Sequence, residues 1–284
     1  MNALRLSFNP AKTLTRVLAS SFALFLFSAG VSAQDVVNRW GPTPSASSYG
    51  DDFDDLFWLI TALVSVSFAL VVILLVVPLI RDRARPGKKA SYDHGTSLHD
   101  KRFTACVSII VFVVLDAWVL VIAMEDLQTG FWNYPNPDNA ATYKVEVLGQ
   151  QWAWNFRATG LDGEFGTPDD ILTTNTLTVP KDRPISMNFT SKDVIHSFFL
   201  PDMRTKRDVN PGSVNIAWFE PVIAGDFDIL CAELCGFAHY QMYGKLHVLE
   251  QDVFDTWEKE ASLMAQAAYD KNDTEAHWAW EWQE

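Results

Sequence analysis

Two long apolar stretches dominate the pattern of the first half of the chain. Residues 56–80 carry no charged side chain, and residues 103–124 carry only Asp116. Each stretch exceeds the ~20 residues that a helix needs to cross a bilayer. Neither stretch shows the polar stripe of a helix that packs on a soluble core. The pattern therefore predicts two membrane-spanning helices joined as a hairpin.

The segments around these spans predict their orientation. Residues 1–33 have the order of a cleaved secretory signal, with basic side chains, a short apolar run and small residues at the cleavage position. Residues 34–55 form a polar lead-in. The loop at 81–102 holds seven Lys and Arg against three Asp, and short basic loops stay in the cytoplasm. Residues 125–284 are then expected outside the cytoplasm, in the periplasm.

Asp116 lies near the middle of the second predicted span. A carboxylate is costly at that depth and must face a partner, a polar cavity or another buried group. The residue is interpreted either as a neutral Asp against a partner helix or as part of a proton path. Both interpretations favour a hairpin that is packed into a larger membrane complex.

Short strand-like segments follow from residue 142 onward. They are rich in Val, Ile, Thr, Phe and Trp and are separated by Pro, Gly and Asp. Since no helical crossover lies between them, an antiparallel sandwich or barrel is expected. Residues 251–269 predict an amphipathic helix, and the tail with Trp278, Trp280 and Trp282 is expected to dock on a neighbouring surface or at the membrane interface. The predicted strands are 143–157, 172–179, 184–190, 194–200, 213–219, 226–230 and 244–249.

Charge is distributed unevenly along the chain. The net charge is −13, and residues 125–284 hold 26 Asp and Glu against 11 Lys and Arg. An acidic chain is a poor candidate for binding nucleic acid, so no nucleic-acid partner is expected. A negative field outside the membrane favours rapid encounter with a basic protein.

Residues 231–242 concentrate the soft metal ligands of the chain. Cys231, Cys235, His239 and Met242 fall within twelve positions, and thiolates with a thioether favour copper over magnesium or calcium. Two thiolates can bridge two copper ions, which suits an electron relay, and His196 is the best candidate for a second imidazole. A disulfide between the cysteines and a zinc site remain as alternatives on spacing alone.

With these motifs, the chain resembles subunit II of the haem–copper cytochrome c oxidases. The motif at 231–242 is similar to that family's Cys-x-Glu-x-Cys-x-x-x-His-x-x-Met signature for the dinuclear CuA centre. Further matches are residues 193–198, residues 201–212 and the Gln-Trp-Ala-Trp run at 151–154. The resemblance implies a cupredoxin-like Greek-key barrel behind a two-helix transmembrane hairpin. It also implies copper in place of the disulfide or zinc.

The resemblance also implies the role of each copper ligand. Cys231 and Cys235 would bridge the two coppers, and His196 and His239 would be the terminal imidazoles. Weak ligands would be the Met242 thioether and the backbone carbonyl of Glu233.

Three further side chains gain a role in the same way. The Glu233 carboxylate would help to bind an interfacial Mg or Mn ion shared with subunit I. Trp152 would receive electrons from cytochrome c. Asp193 would belong to the docking surface for cytochrome c, or would orient His196 through a hydrogen bond.

The implied function is that of the subunit through which electrons enter a cytochrome c oxidase. Electrons from a basic cytochrome c would pass to haem in subunit I, where oxygen is reduced to water and protons are pumped. Other oxidase subunits and membrane lipids would be further partners, in a bacterial inner membrane with both mature termini in the periplasm. The alternatives are the CuA subunit of a related nitric-oxide reductase and a membrane-tethered copper carrier.

Two features depart from the family pattern or stand outside it. The start of the second span lacks the family's Glu at the mouth of a proton channel, which leaves this role of the subunit open; Asp100 and His99 are the candidate substitutes. The acidic segment 162–170 is interpreted as a solvated turn, with a short calcium loop as the alternative.

Overall fold

The computed structural model describes residues 41–87, 89, 94–270 and 272. The predicted signal at 1–33 and the three tryptophans of the tail lie outside these residues. From Ser45 onward the described chain belongs to one compact unit.

The two apolar stretches form two long helices. Helix α1 is Gly50–Arg81, and α2 extends over Leu98–Phe131. Both are long and apolar enough to cross a membrane. Each helix extends several residues beyond its predicted span. Acidic residues occupy the first turn of α1, and the Ser97 side chain caps the N-terminus of α2.

Helix α2 is not α-helical throughout. Two π-helical stretches, Ile109–Leu115 and Leu127–Phe131, interrupt its i→i+4 hydrogen bonds. Asp116 begins the α-helical segment that follows the first of them. Such π-helical turns are often found at functional sites, but the two interpretations of Asp116 remain open.

The rest of the described chain is a β domain of two five-stranded sheets with a C-terminal helix. The strands are β1 Tyr143–Gln150, β2 Ala153–Ala158, β3 Ile171–Thr174, β4 Thr176–Pro180, β5 Ile185–Ser191, β6 His196–Leu200, β7 Thr205–Val209, β8 Asn215–Phe219, β9 Gly225–Cys231 and β10 Tyr243–Leu249. Sheet order is β3-β2-β1-β5-β8 in the first sheet and β4-β10-β9-β6-β7 in the second. Helix α3, Gln251–Ala268, packs Phe254 edge-on against Tyr143 of β1.

This architecture confirms the predicted fold class, while the strand details differ from the prediction. Segment 143–157 is two strands with a turn at Gln151 and Trp152, and segment 172–179 is two strands that meet at Asn175, whose φ is 57°. Strand β7 was not predicted. The purely antiparallel expectation is wrong for two pairs, because β1 pairs with β5 and β4 with β10 in parallel.

Alternating side chains of the strands build the core between the two sheets. In β5, for example, Ile185, Met187 and Phe189 are fully buried while the residues between them are half-buried. Such alternation is typical of a strand with one face on the core. The core also includes Ala46 and Tyr49, which precede α1.

Hydrogen bonds join this segment before α1 to the β domain. The backbone of Ala46 bonds to Asp202 and Val222, and the Tyr49 hydroxyl bonds to Thr205 and to the carbonyl of Trp218. These hydrogen bonds thus attach the β domain to the N-terminal end of α1, in addition to the covalent linker that follows α2.

The acidic segment 162–170 forms a loop that bonds to itself. The carboxylate of Asp169 accepts the Thr167 hydroxyl at 2.6 Å, and that of Asp170 accepts the Gly166 N–H at 2.7 Å. Both carboxylates therefore serve the turns of their own loop, as expected for acidic turn residues. This arrangement favours the interpretation of the segment as a turn.

Candidate metal centre

Three neighbouring strands bring distant residues together at one end of the second sheet. His196 begins β6 and Cys231 ends β9, and the ladder between these strands pairs Phe198 with Cys231. On the other side of β9, the N–H of Cys231 donates to the carbonyl of Met242 at 3.2 Å. The antiparallel ladder therefore sets a histidine, a cysteine and a methionine side by side.

The loop between β9 and β10 supplies the other candidates. Gly236, with φ 117°, turns the chain back in a conformation that L side chains rarely adopt. The N–H of His239 then bonds to the carbonyl of Gly236, and the N–H of Met242 to that of His239. The closed loop directs Cys235 inward, where it is 2% exposed.

The predicted ligand atoms converge on one small volume. The two cysteine sulfurs lie 3.7 Å apart, and Cys235 Sγ lies 3.5 Å from His239 Nδ1 and 3.7 Å from Met242 Sδ. Cys231 Sγ lies 4.0 Å from His196 Nδ1. The backbone carbonyl oxygen of Glu233 lies 3.3 Å from Cys231 Sγ.

The chemistry of this donor set fits copper. Cys231 and Cys235 are both free, and their sulfur separation is far longer than the ~2.05 Å of a disulfide bond. A buried thioether stands beside the thiols, and such soft ligands favour copper. The group His196, Cys231 and Cys235, whose ligand atoms lie within 4.8 Å of one another, therefore supports a copper centre.

The pKa values of the two thiols are shifted in opposite directions. Burial raises the pKa of Cys235 to about 12, and the charge of Cys231 adds to this rise. Burial also acts to raise the pKa of Cys231, but hydrogen bonding to His196 and to nearby backbone lowers it to about 6. Metal ions bind the deprotonated sulfur, so metal loading must release the proton of Cys235.

His196 is fixed in place on three sides. Its Nε2 lies 2.9 Å from the Asp193 carboxylate, which leaves Nδ1 facing the sulfurs. Its ring packs edge-on against Trp154 at 6.0 Å. A Cβ added to Gly149 of β1 would lie only 3.0 Å from the imidazole, so the close approach requires glycine. The imidazole is therefore oriented before any metal arrives.

The turn that carries Trp152 packs against the cysteine loop. The indole of Trp152 is 37% exposed, and a Cβ on Gly236 would lie 3.4 Å from its Nε1. Gln151 donates its side-chain N–H to the carbonyl of Cys235 at 2.8 Å and its backbone N–H to Asp193 at 2.7 Å. The sequence assigned no role to Gln151, although it stands in the same motif as Trp152.

The remaining candidate side chains lie at the surface. The Glu233 side chain is exposed, and Asp193 is partly exposed beside His196. His247 of β10 pairs with Asp226 of the neighbouring strand at 2.6 Å and lies outside the ligand cluster. The structure thus gathers all the predicted copper ligands and leaves the carboxylates of Glu233 and Asp193 at the rim.

Comparison with known proteins identifies the family. Residues 143–248 match the family model described as cytochrome c oxidase subunit II, periplasmic domain. Cytochrome c oxidase subunit 2 of Alkalihalophilus pseudofirmus is 30% identical over 255 residues, which cover 87% of this chain and 68% of the relative. The chain belongs to the cytochrome c oxidase subunit II family.

Two other proteins are similar to this chain. Alternative cytochrome c oxidase subunit 2 of Bradyrhizobium diazoefficiens is 29% identical over 272 residues, covering 87% of this chain and 94% of the relative. The periplasmic domain of subunit II of cytochrome oxidase from Bradyrhizobium japonicum matches with a TM-score of 0.40 and 27% identity. That match covers 46% of this chain and 97% of the solved domain.

Family membership confirms the resemblance seen in the sequence. This subunit II is a component of a haem–copper oxidase, so other oxidase subunits are its partners. Its two apolar helices and its periplasmic-domain match indicate a membrane-anchored subunit with a periplasmic domain.

Proposed function

We propose that this subunit accepts electrons one at a time from a basic cytochrome c and delivers them to haem in subunit I. Oxygen is reduced to water in that partner, coupled to proton pumping. The observation that carries the proposal is the convergence of two free thiols, two imidazoles and a thioether on one small volume. Such a donor set suits a redox metal centre without an open position for bond-making chemistry.

The contacts support the proposed ligand roles. Cys231 and Cys235 would be the sulfur ligands shared by two coppers, since each sulfur lies within 4.0 Å of a different histidine. His196 and His239 would supply the terminal imidazoles. The Met242 thioether and the backbone carbonyl of Glu233 would be weak ligands. Bound copper supplies a one-electron redox centre whose charge is shared over two metals.

The protein part of the site holds these ligands nearly fixed. His196 is oriented by Asp193, and the cysteine loop is closed by backbone hydrogen bonds and by Gln151. The geometry of a rigid ligand set changes little when the metal centre gains or loses an electron. Hydrogen bonds to metal-binding side chains orient these ligands and raise their basicity.

An exposed apolar patch surrounds the proposed point of electron arrival. Phe237 is 89% exposed, and Leu234 and Tyr240 are also largely exposed on the loop that packs against Trp152. Asp193 provides a carboxylate at its edge. An apolar centre with acidic surroundings suits a transient complex with a basic protein, since charge sets the encounter rate.

Two further assignments rest on family membership and on exposure. The Glu233 carboxylate, which points into solvent in the isolated chain, is proposed to bind a Mg or Mn ion shared with subunit I, because carboxylate oxygen is the ligand these ions prefer. The bacterial inner membrane is the proposed location, with both mature termini and the copper domain in the periplasm.

The decisive experiment counts copper in the purified oxidase and records its electron paramagnetic resonance spectrum. We expect two coppers in this subunit that share one unpaired electron. Cys231→Ser removes a bridging sulfur and should abolish that spectrum. Met242→Leu removes only a weak ligand and should leave both coppers bound while shifting the reduction potential.

Cys106 offers a matched control, because it is a free, exposed cysteine of α2. Cys106→Ser should leave the copper count and the spectrum unchanged. A single localised copper in the wild-type subunit, or an unchanged spectrum in the Cys231→Ser variant, would overturn the dinuclear assignment and favour a copper carrier.

A further inference from the structure

The β domain has a groove whose lining includes none of the proposed copper ligands. The groove has a volume of about 560 Å³ and lies between α3, β3 and the loop 166–168. Trp257, Ala261 and Met264 line the helix side, and Ile171 and Leu172 line the strand side. Met264 is 67% exposed, so the groove presents apolar surface to solvent.

One wall of this groove is the edge of a sheet. Strand β3 pairs with β2 on one side, and β3 stands last in its sheet among the described strands. An edge strand keeps backbone N–H and C=O groups available for a further strand. A segment that lies in the groove can therefore bond to the edge while its side chains reach α3.

The described chain ends beside this groove. Ala268 and Tyr269 at the end of α3 belong to its lining. The backbone of Tyr269 is extended, and the carboxylate of Asp270 accepts the N–H of Asn272 at 2.9 Å, which turns the chain there. Residues 273–284 follow in the sequence and lie outside the described part of the chain.

The sequence of this tail has the alternating pattern of a strand with one apolar face. Trp278, Trp280 and Trp282 alternate with His277, Ala279, Glu281 and Gln283. Period-two alternation places every second side chain on the same face of an extended segment. One face then carries three indoles and no charge, whereas the opposite face carries the charged and polar groups.

The dimensions of the groove and the tail agree. The helix side of the groove, from Trp257 to Ala268, is ~17 Å long at the rise of an α-helix. An extended segment from Trp278 to Trp282 covers ~13 Å, and the four residues of β3 cover ~10 Å. The six residues 272–277 extend over up to ~20 Å, enough for the chain to reverse and lie alongside β3.

We propose that the tail segment 277–283 of this same chain docks in the groove as an added strand on β3, with its tryptophans against α3. Each indole buries roughly 150–250 Å² of surface when it is covered. Glu281 and His277 face solvent in this arrangement, away from the acidic loop, so like charges are kept apart. The docked tail covers the β3 edge of the first sheet, next to α3.

Hydrogen exchange measured by mass spectrometry on the purified oxidase tests this proposal. The amides of β3 that face away from β2 should be protected in the wild-type chain. In the variant with Trp278, Trp280 and Trp282 all replaced by Ser, we expect exchange in 171–174 to accelerate at least tenfold, because an exposed edge exchanges readily. Met264→Glu, which puts a charge into the groove, should have the same effect.

The matched control changes the other face of the tail. His277→Ser with Glu281→Ser should leave exchange in 171–174 as in the wild type. Equal exchange at β3 in the wild type and the triple Trp variant would overturn the proposal, as would equal loss of protection in the control. Protection that disappears on dilution of the complex would assign the groove to the tail of a second copy and also overturn it.

Discussion

The carboxylate of Asp193 joins the ligand His196 to the turn that carries Trp152. One carboxylate oxygen lies 2.9 Å from Nε2 of His196, and the other accepts the backbone N–H of Gln151 at 2.7 Å. Although burial acts to raise the pKa of Asp193, the hydrogen bonds from Gln151 and His196 hold it below its usual range. Asp193 is therefore an anion that connects the metal site with the proposed electron-receiving surface.

The two roles proposed for Asp193 are separable by substitution. Asp193→Ala removes the bond to His196 and should weaken copper binding by ~10–100-fold. Asp193→Asn retains an acceptor oxygen but no charge, so it should keep copper while slowing encounter with cytochrome c and reducing its salt dependence. Copper titration and stopped-flow oxidation of cytochrome c measure the two effects. Equal copper loss in both variants would show that the charge itself holds the ligand.

Trp152 is expected to affect electron arrival without affecting copper. Its indole contacts the Gly236 region of the cysteine loop but supplies no ligand atom. Trp152→Ala should therefore leave the copper spectrum intact and lower the rate of cytochrome c oxidation by more than an order of magnitude. Trp132→Phe, at another exposed tryptophan, is the control and should retain the full rate. Loss of copper in Trp152→Ala would instead indicate a purely structural role.

An ion pair joins the β domain to the first helix. Arg204 donates two hydrogen bonds of 2.7 Å to the Asp54 carboxylate, and both side chains are largely buried. Hydrogen bonds to charged groups contribute about 1.5–3 kcal/mol each when a partner is lost. Arg204→Ala should lower the free energy of unfolding by about this amount, seen as a lower thermal midpoint in detergent.

The backbone of Arg204 offers a matched comparison for this pair. Its φ of 55° is left-handed, which costs a non-glycine residue roughly 1–2 kcal/mol. Arg204→Gly should therefore destabilise the protein less than Arg204→Ala. Asp54→Ala should add little once Arg204 is already replaced, and full additivity in this double-mutant cycle would show that the pair contributes nothing.

Glu258 of α3 should make stability depend on pH. Burial raises the pKa of this carboxyl above its ordinary 4.5, against the opposing effect of Arg183. At neutral pH both the folded and the unfolded chain are ionised, and the folded state carries the full cost of the buried charge. As pH falls through the raised pKa, the folded state takes up the proton first, so this contribution to stability rises.

Glu258→Gln is accordingly expected to stabilise the protein at pH 7–8 and to remove this part of the pH dependence. Glu260→Gln changes an exposed carboxylate two residues away and serves as the control. Thermal unfolding of the full chain between pH 4.5 and 8 measures both variants. A Glu258→Gln variant that is less stable than the wild type at pH 8 would contradict the expected sign.

The errors of the strand prediction have identifiable physical causes. The sequence of β7, Thr-Lys-Arg-Asp-Val, is dominated by charge, and this strand is identified only by its pairing with β6 at the edge of the sheet. Asn175 divides one apolar run into β3 and β4 because it adopts a left-handed conformation, and Asn is tolerated there. The parallel pairs join segments far apart in the chain, which periodicity cannot detect.

The sequence by itself determined the two apolar helices, the β character of the following domain and the identity of the soft ligands. These features depend on local composition and spacing, which the order of residues contains directly. Only the tertiary structure decided that Asp193 and Gln151 connect His196 to the Trp152 turn, that Ala46 and Tyr49 belong to the β-domain core, and that an open sheet edge faces α3. Such relationships arise from strand pairing and packing between distant segments, so they exist only once the chain has folded.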